Sequence, residues 1–347
     1  MRDNKEILQQ RYGTKMQTRH YTAMHAIMDC HTEERGKIQY HCQSCENRQN
    51  FCRSCGNRSC PACQHQTNNQ WLDRQRQKLL PVDYYMVTFT LPRELRQFVW
   101  HHQQWAYQAM MKAALETLQS FYQRDKKLGN DAGFTAVLHT HSRRLEFHPH
   151  IHFIAPGGGF DEKHSLWKQK SGKYLFKEQN LATVFRGKFI AAMMAAGFYI
   201  PDKTPKHWIV DCENVGKGEP ALIYLARYLY RGVLNEKNII SYKNGKVTFR
   251  YKDSKTKKWA NRTEGVADFV WLVLQHVLPK GFRRTRDFGF LHGNAKKRLQ
   301  RLQIFLRVRV HIIEPKIKKI VACKCCGFSM QFVGLLRRSP QDVALSI

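Results

Sequence analysis

Acidic residues are scarce in this sequence of 347 residues. Lysine and arginine together number 58, whereas aspartate and glutamate together number 27, so the formal net charge is +31 at pH 7. A chain this basic needs a polyanion to offset its self-repulsion, and nucleic acid is a better candidate than an anionic membrane surface. The basic residues are spread along the chain rather than gathered in one tail, which argues against a disordered basic arm.

Long hydrophobic runs are also missing. No stretch approaches the roughly 20 apolar residues that a membrane-spanning helix needs. The first ten residues are polar and charged, unlike those of a signal peptide. We therefore expect no membrane partner and a cytoplasmic location. In that reducing compartment, the 11 cysteines are expected to be metal ligands or free thiols rather than disulfides.

The βαβ rhythm of a doubly wound nucleotide-binding fold is missing too, as are internal repeats. The pattern instead predicts an α+β fold with a mainly antiparallel sheet and flanking helices. Strands are predicted at 84–91, 134–141, 148–155 and 207–215, with a hairpin at 237–251 around Asn244-Gly245. Helices are predicted at 93–124, 181–196, 219–231 and 264–277.

Cysteines are concentrated in a polar segment near the N-terminus that has too few large apolar residues for a core of its own. They include three CxxC pairs in a row, and each such turn points two thiolates at one tetrahedral ion. This spacing predicts a small module held together by structural zinc. The predicted zinc ligands are Cys30, Cys42, Cys45, Cys52, Cys55, Cys60 and Cys63.

The number of zinc ions stays open at this stage. Seven cysteines and one of His31, His41 or His65 would complete two sites. Three further cysteines resemble half a site near the C-terminus: Cys323, Cys325 and Cys326. Half a site leaves the coordination shell of zinc incomplete, so plain thiols are expected there.

The segment EFHPHIHFIAPGGG carries two histidines on one predicted strand. His150 and His152 are two residues apart, so both side chains point to one face, while Ile151 points into the core. Two imidazoles followed by a glycine-rich break suit a divalent metal site open to a phosphate. On the preceding strand, either His139 or His141 could supply a third imidazole. Alternatively, these histidines simply contact phosphate.

The predicted helix LIYLARYLYRG carries two tyrosines one turn apart. Tyr224 and Tyr228 share a helix face, flanked by Arg227 and Arg231 as candidate DNA-binding residues. A phenol beside cationic side chains and a metal-bound phosphate is a plausible nucleophile for a phosphodiester. The alternative is an amphipathic core helix whose tyrosines only pack.

Three segments together resemble a known family. HPHIH followed by GGG resembles the His-hydrophobic-His motif of HUH endonucleases. YLARY resembles the paired-tyrosine helix of the IS91 family of insertion-sequence transposases within that superfamily, and the N-terminal cysteine run resembles its zinc module. The motifs also stand in the family's order, and the similarity extends from Cys30 to Gly289.

The resemblance implies specific roles. His150 and His152 would bind a catalytic Mg²⁺ or Mn²⁺, with His139 preferred to His141 as the third ligand. The two tyrosines would be nucleophiles that form a 5′-phosphotyrosine with single-stranded DNA or hairpin transposon ends, at the nucleoid of a bacterial cell. The zinc segment departs from the family at Ser59, where histidine is usual, and at Cys52, which is not a usual position. Cys52 is therefore expected to replace the lost ligand.

The sequence thus predicts three regions: a zinc-binding N-terminal module at 1–70, an HUH nuclease domain at 71–290 and a basic C-terminal region at 291–347. The predicted function is a transposase that nicks and rejoins single-stranded DNA during rolling-circle transposition. Two alternatives are a plasmid relaxase or replication initiator, and a zinc-containing DNA-binding regulator without catalysis. The position of the zinc module argues against a relaxase, and nicking of a single-stranded oligonucleotide would exclude a regulator.

Overall fold

A computed structural model describes residues 4–60, 62–63, 65–229, 234, 236–253, 256–309 and 320–336, with the backbone alone at 65–68, 227–229 and 236. Among these residues, no helix is long and apolar enough to cross a membrane. The helices are α1 (Lys5–Tyr12), α2 (Thr18–Met28), α3 (His65–Arg76), α4 (Arg96–His101), α5 (Gln103–Arg124), α6 (Glu178–Ala195), α7 (Glu219–Leu229), α8 (Val266–Leu274) and α9 (Lys296–Phe305).

The strands form small antiparallel sheets around one larger sheet, so the predicted α+β class with antiparallel sheets is confirmed. The strands are β1 (Lys37–His41), β2 (Arg48–Cys52), β3 (Tyr84–Thr90), β4 (Phe134–His141), β5 (Phe147–Pro156), β6 (Gly158–Asp161), β7 (Leu166–Gln169), β8 (Ile209–Asn214), β9 (Ile239–Lys243), β10 (Lys246–Lys252), β11 (Trp259–Gly265), β12 (Thr285–Phe288) and β13 (Gln331–Leu336).

The larger sheet has five strands in the order β12-β4-β5-β3-β8. Every neighbouring pair is antiparallel. The histidine-bearing strand β5 therefore lies at the centre, between β4 and β3. Four of the five strands match predicted ones. The edge strand β12 was not predicted, because it has only four residues and three of them are polar.

Each face of this sheet is covered by helices. On one face, α5 and α6 bury the apolar side chains of alternate strand positions, including Phe89 and Phe153. On the other face, α3 and α7 pack through Trp71, Leu222 and Leu225 in a second core that also receives residues from β4 and β5. The helix with the tyrosine pair is thereby held against the sheet face that carries the histidines.

The predicted helix at 93–124 is interrupted. A 3-10 turn precedes α4, which ends at His101. The next residue, His102, has φ of −117° and ψ of 36°, and α5 begins after it. The His102 ring packs against Phe98 and Phe198, with centroids 4.9 and 4.7 Å apart. Apolar spacing alone does not reveal this break, because the hydrophobic pattern continues through it.

The predicted hairpin at 237–251 is present as β9 and β10. Its turn residues Asn244 and Gly245 both have positive φ, 49° and 68°, as a type I′ turn requires. A third strand, β11, pairs with β10 and was not predicted. Part of the predicted helix 264–277 belongs to this strand, and α8 begins only at Val266.

The first two helices pack onto α8 rather than into the cysteine-rich segment. One guanidinium nitrogen of Arg11, Nη1, donates to both carboxylate oxygens of Asp268, at 2.9 and 2.8 Å. The Tyr12 ring stacks on Trp271 at 5.1 Å. These contacts belong to a third core formed mainly by α1, α2 and α8. The residues that precede the cysteine-rich segment are therefore held in place by α8.

The cysteine-rich segment itself contains the hairpin β1–β2. Strand β13, from near the C-terminus, pairs antiparallel with the free edge of β1 in this three-stranded sheet. Residues predicted as part of a basic C-terminal region thus contribute a strand to the N-terminal module.

Candidate active site and zinc sites

Three histidines converge on the α7 side of the larger sheet. His139 of β4 lies directly opposite His150 of β5, and His152 lies opposite Val137. Directly opposed residues in an antiparallel pair share a face, so the three imidazoles point the same way. Their ligand nitrogens all lie within 4.8 Å of one another. The structure therefore brings together the three histidines that the sequence singled out.

The three imidazoles are held neutral. Burial lowers the pKa of His150 to about 4. Burial, followed by the neighbouring histidines, holds the pKa values of His139 and His152 well below the usual range. A neutral imidazole offers a lone pair, which a metal ion needs and a proton would block.

Two neighbours fix how the rings present their nitrogens. Nδ1 of His150 is 2.8 Å from the carbonyl oxygen of His148, so it donates, and Nε2 is left as the acceptor. Nδ1 of His152 is 2.8 Å from the hydroxyl of Thr88 on β3. Nε2 of His152 is buried and has no hydrogen-bond partner within the described part of the chain. A metal ion would satisfy this buried nitrogen, so the donor set fits one.

His141 lies beside His139, with the two rings stacked at 6.1 Å, but it is outside the group of three histidines. The register of β4 and β5 shifts between these two residues, and His141 pairs with Phe147. Its ring lies 5.1 Å from that of His276, a buried histidine at the end of α8 that is bonded to Thr140. Strand alternation alone left the two histidines equivalent, but the register places only His139 opposite a histidine of the group.

The glycines after β5 serve packing rather than an open phosphate cradle. A Cβ at Gly159 would come within 2.4 Å of the Gly129 carbonyl, and one at Gly158 within 2.7 Å of the Trp167 ring. Both glycines are buried in β6. The expectation that they keep the histidine site open is therefore not supported by their environment.

Tyr224 of α7 faces the histidines. Its half-buried ring meets the His152 ring edge to face, with centroids 6.0 Å apart. The helix is oriented by Leu222 and Leu225, which are buried in the second core, and by Arg76 of α3, which binds Glu219 at 2.9 Å. The predicted nucleophile therefore lies beside the predicted metal ligands.

The rest of the tyrosine helix is less fully described. Arg227 and Tyr228 lie on α7, but their side chains are outside the described residues. Arg231 lies outside them altogether. Tyr228 stands one helical turn from Tyr224 along the described backbone, as the spacing predicts.

A first group of four thiols forms in the N-terminal module. It comprises Cys30, Cys55, Cys60 and Cys63, whose sulfurs all lie within 4.8 Å of one another. Cys52 does not join this group, contrary to the expectation that it replaces a lost ligand. It is the last residue of β2, where its backbone is paired opposite Lys37. Its CxxC spacing with Cys55 therefore reflects the end of a strand rather than a metal-binding turn.

A second group joins the two ends of the chain. Cys42 and Cys45 meet Cys323 and Cys326, again with all four sulfurs within 4.8 Å. Plain thiols were expected near the C-terminus, and two of those three cysteines lie in this group, whereas Cys325 is exposed outside it. None of the three candidate histidines for zinc lies in either group among the described side chains. The side chain of His65 falls outside that description.

Two further residues at the histidine site were not identified from the sequence. Thr88 is a strand residue without a motif, and only the pairing of β3 with β5 reveals its contact with His152. Arg284, just before β12, is close enough to lower the pKa values of His139 and His141. It belongs to the basic run 283–286. The pairing of β12 with β4 brings this run close to the histidines.

Comparisons with known proteins agree with these features. Residues 133–300 match the family model described as "Putative transposase", and residues 1–91 match that described as "Transposase zinc-binding domain". The chain is 31% identical over 304 residues to the "Putative transposase y4qJ" of Sinorhizobium fredii, covering 81% of this chain and 76% of that relative. It is 28% identical over 285 residues to the "Transposase for insertion sequence element IS801" of Pseudomonas savastanoi pv. phaseolicola, covering 76% and 68%. No solved structure gives a significant match.

These matches define a transposase, an enzyme class that acts on DNA. The chain belongs to the IS91 family of transposases with an N-terminal zinc-binding domain. The family resemblance and the structural zinc predicted from the cysteine spacing are thereby confirmed.

Proposed function

We propose that this transposase nicks and rejoins single-stranded DNA through a covalent 5′-phosphotyrosine on Tyr224 during rolling-circle transposition. The observation that carries the proposal is the edge-to-face contact between Tyr224 and His152, a buried imidazole that converges with those of His139 and His150. A phenol and a metal-binding group at this separation can act on the same phosphate. A merely structural tyrosine would not need three converging histidines beside it.

His139, His150 and His152 would hold the catalytic ion. An ion bound there would polarise the scissile phosphate and orient it for attack. Between the two ions that the family resemblance implies, three nitrogen donors favour Mn²⁺, because Mg²⁺ prefers an oxygen shell and keeps most of its waters. We therefore propose that Mn²⁺ binds more tightly than Mg²⁺.

The bond changes balance without an energy-rich cofactor. The Tyr224 phenol gives up its proton and its oxygen bonds to phosphorus. The bond from phosphorus to the 3′ oxygen breaks, and that oxygen takes up a proton. The products are a 5′-phosphotyrosine and a free 3′-hydroxyl, so the phosphodiester energy is conserved and the reverse reaction can rejoin a strand. Tyr228, one turn further along α7, would act on a second strand.

The DNA partner would be single-stranded DNA, including hairpin transposon ends, bound in the cytoplasm at the nucleoid. Arg227 and Arg231 would contact phosphates beside the tyrosines. The outer face of the β9–β11 sheet offers a second contact surface. There the Arg250 guanidinium lies 5.0 Å from the ring of Trp259, which is 60% exposed, and Lys252 lies opposite that tryptophan. Exposed aromatic and cationic side chains on one face suit stacked bases and their phosphates.

The proposed activity predicts a denaturant-resistant protein–DNA adduct. Purified protein, labelled single-stranded oligonucleotides carrying transposon-end sequence, and Mn²⁺ or Mg²⁺ should yield a labelled band that migrates with the protein. The label should follow the protein only when it is placed on the 3′ side of the nick, that is, on the fragment whose new 5′ end keeps the phosphate. Cleavage that leaves a free 5′-phosphate and no adduct would instead indicate a hydrolytic nuclease.

Replacing Thr88 with valine should weaken metal binding without unfolding the protein. When Nε2 of His152 binds the ion, Nδ1–H donates to the Thr88 hydroxyl, which fixes the ring. Loss of such an orienting partner typically costs about 10–100-fold in metal affinity. Calorimetric titration with Mn²⁺ would measure it. Thr90→Val, on the same strand opposite His150, is the matched control, and equal affinities for both variants would contradict the assignment.

A further inference from the structure

The second thiol group is formed by two turns of matching geometry from opposite ends of the chain. In the first turn, the amide of Cys42 donates to the carbonyl of Asn47 at 2.9 Å. In the second, the amide of Cys323 donates to the carbonyl of Phe328 at 2.8 Å. Both bonds span five residues and enclose a CxxC pair. Such turns point two thiolates at one tetrahedral ion.

The match extends to the residue after each pair. Glu46 and Gly327 both have positive φ, 55° and 78°. Glutamate rarely adopts this conformation, so a constraint must hold it there. The Cys323 sulfur accepts from the Cys325 amide at 3.4 Å, and the side-chain amide of Asn47 lies 3.6 Å from the same sulfur. Each turn therefore has the backbone of a zinc-binding knuckle.

The sulfur separations fit one ion. Cys42 and Cys326 have sulfurs 3.4 Å apart, and Cys45 and Cys323 have sulfurs 3.6 Å apart. Four sulfurs at about 2.3 Å from a tetrahedral zinc lie roughly 3.8 Å from one another. A disulfide would need about 2.05 Å, and it would join two of the four rather than collect all of them.

Beside the pairing of β1 with β13, these turns have little apolar packing around them. The hydrophobic cluster at this point has only three buried members among the described residues: Cys42, Cys323 and Met330. Two of the three are themselves thiols of the group. A core this small supplies little stability, so an added constraint is needed to keep the two chain ends in place.

We propose that Cys42, Cys45, Cys323 and Cys326 bind a second structural zinc ion, which joins the segment 320–336 to the N-terminal module. The first zinc ion would occupy the group of Cys30, Cys55, Cys60 and Cys63, so the chain would hold two. The match to the transposase zinc-binding domain ends at residue 91 and does not include the C-terminal pair. The proposal does not rest on the nuclease chemistry.

Native alkylation of the wild-type protein tests this site directly. Cys325 lies between two proposed ligands but is exposed and outside the group, so it serves as an internal reference. In zinc-loaded protein, iodoacetamide should modify Cys323 and Cys326 at least about tenfold more slowly than Cys325, as mapped by mass spectrometry. A strong chelator should raise their rates together with those of Cys42 and Cys45. Equal rates at all three C-terminal cysteines before chelation would overturn the proposal.

Metal content provides the second measurement. Elemental analysis of the full-length protein should give two zinc ions per chain, one in the Cys323→Ser/Cys326→Ser variant and two in the matched control Cys325→Ser. Limited proteolysis should also cut the segment 320–336 faster in the double variant. One zinc per chain in the wild type would overturn the proposal of two ions, and an unchanged zinc content in the double variant would show that the C-terminal pair is not a ligand.

Discussion

Tyr224→Phe is expected to abolish the covalent protein–DNA adduct. The substitution removes one oxygen from a half-buried ring that contacts His152, and it leaves the packing of α7 through Leu222 and Leu225 intact. If that oxygen is the nucleophile, adduct formation should fall by more than about 1,000-fold, because no other group replaces it. Denaturing gels of labelled single-stranded DNA, with mass spectrometry of the linked peptide, would measure the loss.

Tyr84→Phe is the matched control. Tyr84 lies in the same core, and its hydroxyl accepts a hydrogen bond from the Leu80 amide at 2.8 Å. Losing this bond should cost about 1 kcal/mol of unfolding free energy and leave adduct formation unchanged. Tyr228→Phe should still form the first adduct but fail to complete transposition. A Tyr224→Phe/Tyr228→Phe variant that still forms the adduct would refute the nucleophile assignment while leaving the nuclease activity open.

His152→Ala is expected to abolish both metal binding and cleavage. Its imidazole is central to the group, facing Tyr224 on one side and bonded to Thr88 on the other. Cleavage should fall by more than about 100-fold, the upper range for losing a residue that only orients a ligand. Affinity for single-stranded DNA should change little, because phosphate contacts come mainly from lysine and arginine. Cleavage rates and Mn²⁺ titration would be measured on the same preparation.

The comparison of His139→Ala with His141→Ala sharpens this test. The two side chains are both buried and two residues apart, but only His139 lies in the metal-binding group. His139→Ala should behave like His152→Ala, whereas His141→Ala should keep metal binding and lose only stability, seen as a lower melting temperature. If His141→Ala loses the metal and His139→Ala retains it, the third ligand has been assigned to the wrong residue.

The histidine site was largely predictable, because its main residues are close together in the sequence. His150 and His152 are related by the two-residue repeat of a strand, which the sequence displays directly. The orientation of α7 follows similarly from leucines at helical spacing, which bury one side and leave Tyr224 on another. The choice between His139 and His141 was not local, because a bulge in the pairing of β4 with β5 decides it. Periodicity within one strand carries no information about such a register shift.

The zinc module was only partly predictable, because it depends on contacts between residues far apart in the sequence. Three CxxC pairs in a row suggested that neighbours in sequence share an ion, but Cys52 belongs to a strand and Cys42 has its partners near the far end of the chain. Contacts between Cys45 and Cys323 span 278 residues. Strand β13, which follows Cys323 and Cys326, is mostly exposed and shows no strong alternation of polar and apolar residues. Its sequence therefore did not indicate that it pairs with β1.

The pairing of β1 with β13 also sets an order of events during synthesis. Domains generally fold as they leave the ribosome, starting from the N-terminus. Here β1 can pair with β13 only after β13 has been synthesised, and 278 residues separate Cys45 from Cys323. At roughly 5–20 residues per second, this wait lasts about 15–55 s. The central sheet with its histidines can thus form before the N-terminal module closes, and a chain whose translation stops early would carry the nuclease core without a finished module.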